Sequence, residues 1–334
     1  MAGNQTPKGE AVVQYLKRHP KMPLLTLARL MHKEQPKMFP DIENTRKLIQ
    51  KYVSANRHVN LGDRYGVKRE KGASGADAWQ DMMPESLQEP HNPFILPKSV
   101  RKALVLSDIH APYHDVPALT LAIDHGLKAG VDAVILNGDI LDFYAMSDHE
   151  KDPRKIDWLG ELEAGRGIFR MIRAAFPNMP IYFVTGNHSY RLERHLMKYA
   201  PILLGMHEFE LPTLFGFGEL AITHIENKRV IHAGKLTIGH GDNWKGGGGV
   251  NPARWLSLRT GEPTLIGHFH RTSSHIERTV RNSIRGWWST GCLCELNPTY
   301  LPMNQWSHGF AIVEIDKDGT FEVDNLSIIE GKVR

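Results

Sequence analysis

The sequence predicts an α/β sandwich built on two sheets, with a small all-helical region ahead of it. Three observations predict this. Short, continuously apolar runs recur from residue 102 onward, KALVLSD, AVILNGD, IYFVTGN, KLTIGHGD and PTLIGHFH, each ending in polar residues and usually in Gly. Helix-like spans, ALTLAIDHGLKAG and IDWLGELEAGRGIFRMIRAAFP, separate the first three. Unbroken apolar strands imply burial on both faces, and hence a sheet covered by helices.

The elements follow in order. At 334 residues the chain has room for one large domain and a smaller one. Its start, MAGNQTPKGEAVVQYLKRHP, lacks the apolar core of a signal peptide. No apolar run approaches the roughly 18–20 residues that span a bilayer. From Gly9 to about Asn56 the pattern is helical. VVQYLKRHP is short and amphipathic and stops at Pro20. PLLTLARLMHKEQP carries Leu24, Leu27, Leu30 and Met31 at helical spacing. FPDIENTRKLIQKYVSANR opens on Asp41 as a candidate cap and turns Ile42, Leu48, Ile49 and Tyr52 inward. Three short helices, the last one basic, resemble a helix-turn-helix unit, and residues 1–60 are expected to form that domain.

Residues 61–100, rich in Gly, Pro and polar side chains without a sustained period, read as a linker or arm. Residues 101–334 form the sandwich domain. Within it HIENKRVIHAGKLTIGHGD reads as two adjacent strands joined by a turn, and FAIVEIDKDGTFEVDNLSIIEGK as a hairpin with an Asp-Gly turn.

Charge is uneven. The net formal charge is +4, yet residues 1–72 carry 15 Lys/Arg against 6 Asp/Glu while the remainder is acidic. Such asymmetry points to a basic module that meets a polyanion, nucleic acid first; a well-solvated helical surface is the alternative. Two cysteines, Cys292 and Cys294, lie two apart in WWSTGCLCEL, which reads as a strand. Their side chains are then expected on opposite faces, unable to pair. A reducing, cytoplasmic setting follows as the expectation, with no membrane contact.

Five strand ends carry the chemistry. They read Asp108-Ile109-His110, Gly138-Asp139, Gly186-Asn187-His188, Gly239-His240-Gly241-Asp242 and Gly267-His268-Phe269-His270. Loops at the carboxyl ends of strands in an open α/β sheet converge on one crevice. Convergence would gather more oxygen and imidazole donors than one ion needs and about enough for two. Such a set suits Mn, Fe or Zn, with no thiolate preference.

The order of these motifs resembles the calcineurin-like metallophosphoesterases, whose pattern is D-x-H, G-D-x-x-D, G-N-H-D/E, a later His, and G-H-x-H. Here it stands as DIH at 108–110, GDILD at 138–142, GNHS at 186–189, His240, and GHFH at 267–270. The resemblance covers roughly residues 101–312. It implies a four-layer α/β/β/α sandwich and two divalent metal ions, Mn²⁺ foremost, with Fe, Zn or Ni as alternatives. Asp108, His110 and His270 would hold the first ion, Asn187, His240 and His268 the second, and Asp139 would bridge them. A carboxylate suits that bridging place between two closely spaced cations. His188 would stabilise or protonate the leaving oxygen, as an imidazole with a pKa near about 6.5 can. Segments of the GNHxxRLER and GCLC type also resemble metallophosphoesterases of bacteriophages, which implies the cytoplasm of a bacterial or phage-infected cell.

Ser189 stands where the family usually has Asp or Glu, so Asp142 is the candidate to orient His188. GDILDFY lacks the Asp-Arg-Gly continuation of the Ser/Thr protein phosphatase branch, which argues against a phosphoprotein phosphatase. Arg191 and Arg194 are candidates for substrate contact, with an exposed helix face as the alternative. His114, His125, His149, His224 and His232 fit no ligand position and read as packing or surface residues. Gly246–Gly249 read as a flexible loop ahead of a phosphate cradle, and Trp287, Trp288 and Trp306 as core or interface ahead of base-stacking residues. The functional expectation is a dinuclear-metal phosphodiesterase, a nuclease acting on DNA. A phosphatase or phosphodiesterase of small nucleotides is the first rival, and a DNA-binding regulator with an incidental hydrolytic site the second.

Overall fold

The computed structural model describes residues 6–19, 22–57, 91–226, 228–246 and 250–334. Residues 61–90 of the expected linker, residues 58–60 before them and residues 247–249 of the glycine run lie outside the described residues. The chain divides between Leu87 and Gln88 into two compact units.

The first unit holds three helices, α1 (Pro7–Arg18), α2 (Leu24–Glu34) and α3 (Ile42–Arg57). Thr6 accepts a hydrogen bond from the Gly9 N–H and Pro7 sits in the first turn, a regular N-terminal arrangement. Asp41 does the same for α3, accepting from the Asn44 N–H at 2.6 Å. The amphipathic spacing closes a core of Val12, Tyr15, Leu27, Ala28, Met31, Phe39 and Ile49, with Leu24, Leu30, Ile42, Leu48 and Tyr52 packed around it.

The second unit contains two sheets. Strands β2 (Lys102–Leu106), β3 (Ala133–Asn137), β4 (Ile181–Val184) and β5 (Ile222–Ile225) run parallel; β11 (His308–Ile315), β12 (Phe321–Ile329) and β13 (Lys332–Val333) extend that sheet antiparallel beyond β2. The other sheet has the order β1-β6-β7-β8-β10-β9, from β1 (Phe94–Ile95), β6 (Ile231–Ala233), β7 (Leu236–Gly239), β8 (Thr264–Ile266), β9 (Ser273–Arg278) and β10 (Ile284–Ser289). Helices α4 (Val116–Ala129), α5 (Trp158–Ala175) and α6 (Tyr190–Tyr199) follow β2, β3 and β4, and α7 (Pro252–Thr260) follows β7.

Alternation within the buried strands builds the layers. Leu104, Leu106, Val134, Leu136, Ile181 and Phe183 share one core with Leu119, Ile123, Phe169 and Ile172 of the covering helices. Their neighbours Ala103, Val105, Ala133, Ile135, Tyr182 and Val184 share another with Ile231, Leu236, Ile238 and Leu265 of the second sheet. Ala253 and Leu256 of α7 pack on Ile266 and Trp287, across the outer face of that sheet. The result is the expected four layers, helices, sheet, sheet and helix.

Three expectations are corrected. Phe94 and Ile95, placed in the linker, pair with Ile231 and His232 as an edge strand. The strand expected through WWSTGCLCEL ends at Ser289, and beyond it Gly291 lies so close to the Ser307 carbonyl that a side chain there would clash. Cys292 and Cys294 therefore occupy isolated bridges with His308 and His114; both are buried free thiols. The C-terminal hairpin follows the reading, with Asp318-Gly319 in its turn and Ile315 opposite Phe321. Among the described residues no helix is long and apolar enough to cross a membrane.

Candidate metal centre

Every predicted metal ligand, with Asp142 and His188, lies just beyond the carboxyl end of a strand and in one cluster, which Arg191 of α6 joins and Arg194 does not. β2 delivers Asp108 and His110, β3 Asp139 and Asp142, β4 Asn187 and His188, β7 His240, and β8 His268 and His270. Backbone hydrogen bonds tie the loops together: Asp108 N–H to Gly138 O at 3.2 Å, His110 N–H to Asp139 O at 2.9 Å, Gly267 N–H to His240 O at 2.9 Å and Leu293 N–H to Asp108 O at 3.0 Å. The approach leaves no room at Gly186 or Gly267, where a Cβ would run into Asp139 and Ser107 respectively.

Five of these residues adopt left-handed backbone: Asp108 at φ 54°, His110 at 51°, Asp139 at 50°, His268 at 70° and His270 at 55°. Non-glycine residues there cost on the order of 1–3 kcal/mol each and persist only where the surroundings over-determine them. Here the strained positions are the donors themselves.

Asp139 is the common member of two groups. The ligating atoms of Asp108, His110 and Asp139 lie within 4.8 Å of one another, and so do those of Asp139, His240 and His268. His240 Nδ1 faces the Asn137 carbonyl at 3.0 Å, which fixes an N–H on that nitrogen. Its Nε2 then points at Asp139 Oδ2 at 2.9 Å and Asn187 Oδ1 at 3.1 Å. The same logic holds for His110. Its Nδ1 meets Asp142 Oδ1 at 3.0 Å and its Nε2 faces His270 Nε2 at 3.2 Å. Two imidazole nitrogens that close, beside a carboxylate, need a proton or a cation between them.

Buried charge sets the acid-base balance. Burial works against the carboxylate of Asp108, but the imidazoles of His270 and His110 hold it well below the usual range. Asp139 is likewise held far down by His240 and His188 against its burial, and Asp142 by its hydrogen bonds to His110 and His188. Burial opposes charge on His110, yet Asp108 and Asp142 raise it to about 10; His240 is raised to about 9 by Asp139 in the same way. Asp108 Oδ2 accepts from Ser107 Oγ at 2.6 Å and the His268 N–H at 2.9 Å, while its buried Oδ1 has no hydrogen-bond partner. That oxygen faces His270 Nε2 at 3.2 Å and His110 Nε2 at 3.9 Å, a grouping a divalent cation can satisfy, and hard oxygen with imidazole nitrogen suits Mn, Fe or Zn.

His188 stands apart from the donors. Its Nδ1 is 3.0 Å from both the carbonyl oxygen and Oδ1 of Asp142, and its backbone N–H donates to Asp139 Oδ1 at 2.8 Å. Its Nε2 receives an N–H of Arg191 at 3.1 Å and lies 4.0 Å from Asp139 Oδ2. Burial lowers the His188 pKa, with His110 and Arg191 adding to that and Asp139 opposing it. Arg191 also donates to the Asp142 carbonyl at 2.9 Å. Arg194 instead pairs with Asp148 at 3.1 Å, outside the cluster.

Several neighbours were not anticipated from sequence. Ser107 and Asn137 fix Asp108 and His240 through the bonds above. Glu161 accepts the Tyr144 N–H at 2.7 Å and so braces the turn after Asp142; burial pushes its carboxyl up to about 7. Trp306, expected in the core or at an interface, is partly buried and sets its ring 4.2 Å from that of His270. Trp287 is core as expected, fully buried. Cys294 Sγ lies 3.9 Å from His270 Nδ1, but Cys292 and burial push its thiol up and keep it a poor ligand. Ser107 and Asn137, polar residues closing apolar runs, left a signal in the sequence. Of the set-aside histidines, His125 packs on Phe310 and His224 bonds to Thr185 at 2.8 Å.

A two-sheet sandwich with a His/Asp cluster at its strand ends defines a metal-dependent hydrolase, and the clusters suit a dinuclear divalent site. The profile of the calcineurin-like phosphoesterases matches residues 101–301, and the chain belongs to that family. It is a metal-dependent phosphoester hydrolase. No curated protein sequence matches it. Among solved structures it is similar to Vps29 of Entamoeba histolytica complexed with zinc, at 13% identity over 70% of this chain and 96% of that one, with a TM-score of 0.37. It is similar to the nuclease MPE of Pseudomonas putida at 16% identity over 64% and 84% of the two chains (TM-score 0.29). The phosphoesterase YfcE of E. coli matches at 14% identity over 67% and 98% (TM-score 0.32).

Proposed function

We propose that the protein is a phosphodiesterase that cleaves nucleic acid, DNA foremost. Asp108, His110 and His270 hold one divalent ion, Asn187, His240 and His268 the other, and Asp139 is shared; Mn²⁺ is the proposed metal. The observation that carries this reading is the membership of Asp139 in both donor groups. Ions bound there supply Lewis-acid activation of water and charge neutralisation at phosphorus.

The chain's own residues do the rest. Asp142 accepts from His110 Nδ1 and His188 Nδ1, and so aims the Nε2 atoms of both rings into the site. His188 carries a proton at Nε2 to the leaving oxygen. In the resting arrangement Arg191 occupies that nitrogen, so a substrate phosphate has to draw the guanidinium toward itself before Nε2 takes up its proton. Arg191 thereby serves as the substrate contact. Asp142 takes the orienting place that Ser189 leaves open.

The polymer half of the proposal rests on the 15 Lys/Arg against 6 Asp/Glu of residues 1–72, which suit a phosphate backbone. We propose that the three basic helices dock DNA in the manner of a helix-turn-helix unit, in a bacterial or phage-infected cell.

The test is cleavage by the full-length protein with Mn²⁺ of single- and double-stranded DNA, RNA, cyclic nucleotides and an aryl phosphodiester, with His188→Ala as control. Polynucleotide cleavage that vanishes in the control is the expected result. Turnover confined to small esters would refute the nuclease reading. Deleting residues 1–72 is expected to weaken DNA binding while small-ester turnover stays intact.

A further inference from the structure

The segment 296–306, on the way from Cys294 to β11, holds an exposed aromatic ring beside the metal centre. Tyr300 is 73% exposed, and its ring meets that of Trp306 at 6.4 Å and an angle of 65°. Trp306 in turn sets its ring edge-to-face against His270, at 4.2 Å and 67°. One indole thus bridges a metal ligand and the tyrosine, which fixes where the tyrosine stands relative to the site. At that exposure at least one face of the Tyr300 ring is open to solvent.

The segment is braced from within and at both ends. Asn304 Nδ2 donates to the carbonyls of Leu296 and Leu301, and Asn304 Oδ1 accepts the Trp306 N–H at 2.8 Å. The Ser307 N–H donates to the His270 carbonyl at 2.8 Å, and the Glu295 N–H to the Tyr113 carbonyl at 2.9 Å. Lys155 Nζ holds Thr299 Oγ1 at 2.9 Å. An aromatic face held this way is in place before a ligand arrives, so little ordering cost remains on binding. Its side of the site is also defined. Although the ring is mostly exposed, desolvation at the Tyr300 hydroxyl, and then the charge of Asp142, push that hydroxyl up to about 12, with Arg191 opposing. Burial and then Asp142 act in the same way on Tyr113, which follows His110 by three residues. Both rings therefore stand on the side where Asp142 and Arg191 hold His188.

We propose that Tyr300 is a stacking platform for a nucleobase of the substrate, with Trp306 as its positioning residue. The base belongs to the nucleoside whose oxygen leaves, because His188 and Tyr300 share one side of the centre. This deepens the nucleic-acid reading above and rests on it. Every base has a π face, so a fixed aromatic ring accepts all of them and sets no sequence preference. A base in a duplex is already stacked on its neighbours, so the platform takes an unpaired one. The substrate it fits is single-stranded, or a strand end that has opened.

Titration calorimetry tests this on full-length His188→Ala loaded with Mn²⁺, so that binding is read apart from cleavage. The probes are a thymidine trinucleotide and an abasic trimer with the same sugar-phosphate backbone and charge. The thymidine trimer is expected to bind about tenfold more tightly, the effect of one stacked base. Adding Tyr300→Leu is expected to bring it down to the abasic level, while Tyr300→Phe keeps the difference; the abasic trimer should bind all three proteins alike. Tyr300 is a surface residue, so neither change opens a hole in the core. Equal binding of the two trimers, indifference to Tyr300→Leu, or the same loss with Tyr300→Phe would each overturn the proposal. Cleavage of the thymidine trimer by the unsubstituted protein is read separately. A base preference without cleavage supports the platform and refutes the nuclease reading; cleavage without a base preference does the reverse.

Discussion

The N-terminal helices and the strand-end loops solve opposite problems. In the helices most choices agree: caps at Thr6 and Asp41, though none on α2, apolar residues at helical spacing, and a core of seven buried side chains from Val12 to Ile49. In the loops nearly every choice conflicts with local preference. Asp108, His110, Asp139, His268 and His270 sit at positive φ, five acidic or imidazole side chains are buried, and the Asp108 Oδ1 atom accepts no hydrogen bond. The strain is held by the sheets behind it, whose central strands β2, β3 and β4 are almost wholly apolar and buried. Consistency across levels marks a region selected for folding, and local conflict backed by a rigid frame marks one selected for chemistry.

Substitutions should respect that contrast. The largest effect is expected for Asp139→Asn, which removes the charge common to both donor groups. Metal content, measured by mass spectrometry, and turnover should fall together, the latter by at least about 10³-fold, as loss of several kcal/mol of charge stabilisation implies. His188→Ala should lower turnover by about 10²–10⁴-fold with metal content unchanged, as the proposed role of the ring as a proton carrier beside the metal ligands requires. On the other side of the comparison, Leu27→Ala leaves a hole in the helical core and should cost about 2–5 kcal/mol there. It should appear in a DNA-binding titration and leave aryl phosphodiester turnover alone. If it abolished turnover, the two regions would not be separable in this way. Asp142→Asn should weaken metal affinity by about 10–100-fold, since it loosens the second hydrogen bond of His110 without removing a donor.

How much of this was legible depends on where each signal lives. The clustering of the candidate ligands was readable because they follow directly on apolar runs, so predicting the strands also predicted which loops meet. Asp142 was readable as a replacement for the acidic residue that Ser189 displaces. Trp306 and Cys294 were not, since what makes them matter is a contact with His270 that only the folded chain brings about. Arg194 shares a helix with Arg191, yet a shift of three residues turns it to Asp148. The edge strand Phe94–Ile95 was hidden by its length of two residues in a Pro-rich stretch, where pairing with β6 overrides weak local preference. Gly291 ended a strand that composition alone would have continued.

The smallest expected effect concerns protons. An imidazole ligand must be neutral, so metal and proton compete for the same nitrogen. Burial disfavours charge on His110 and His240, but their carboxylate partners prevail and raise them to about 10 and about 9. Both rings therefore hold a proton at pH 7.5 in the metal-free chain, where an ordinary imidazole, near about 6.5, would not. Titrating Mn²⁺ at that pH in buffers of different ionisation enthalpy should release on the order of one proton from each ring. The release should fade as pH rises past about 9 for His240 and about 10 for His110. The stability these raised values lend the metal-free fold is complete below the unfolded value near about 6.5 and is lost as pH climbs through the same window. Metal-free protein should therefore melt lower at pH 10 than at pH 6.5 on this account, and Mn²⁺ should restore most at the alkaline end. Binding without proton release at pH 7.5 would mean that both rings are already neutral. The carboxylates around them would then be matched by something other than imidazolium before the metal arrives.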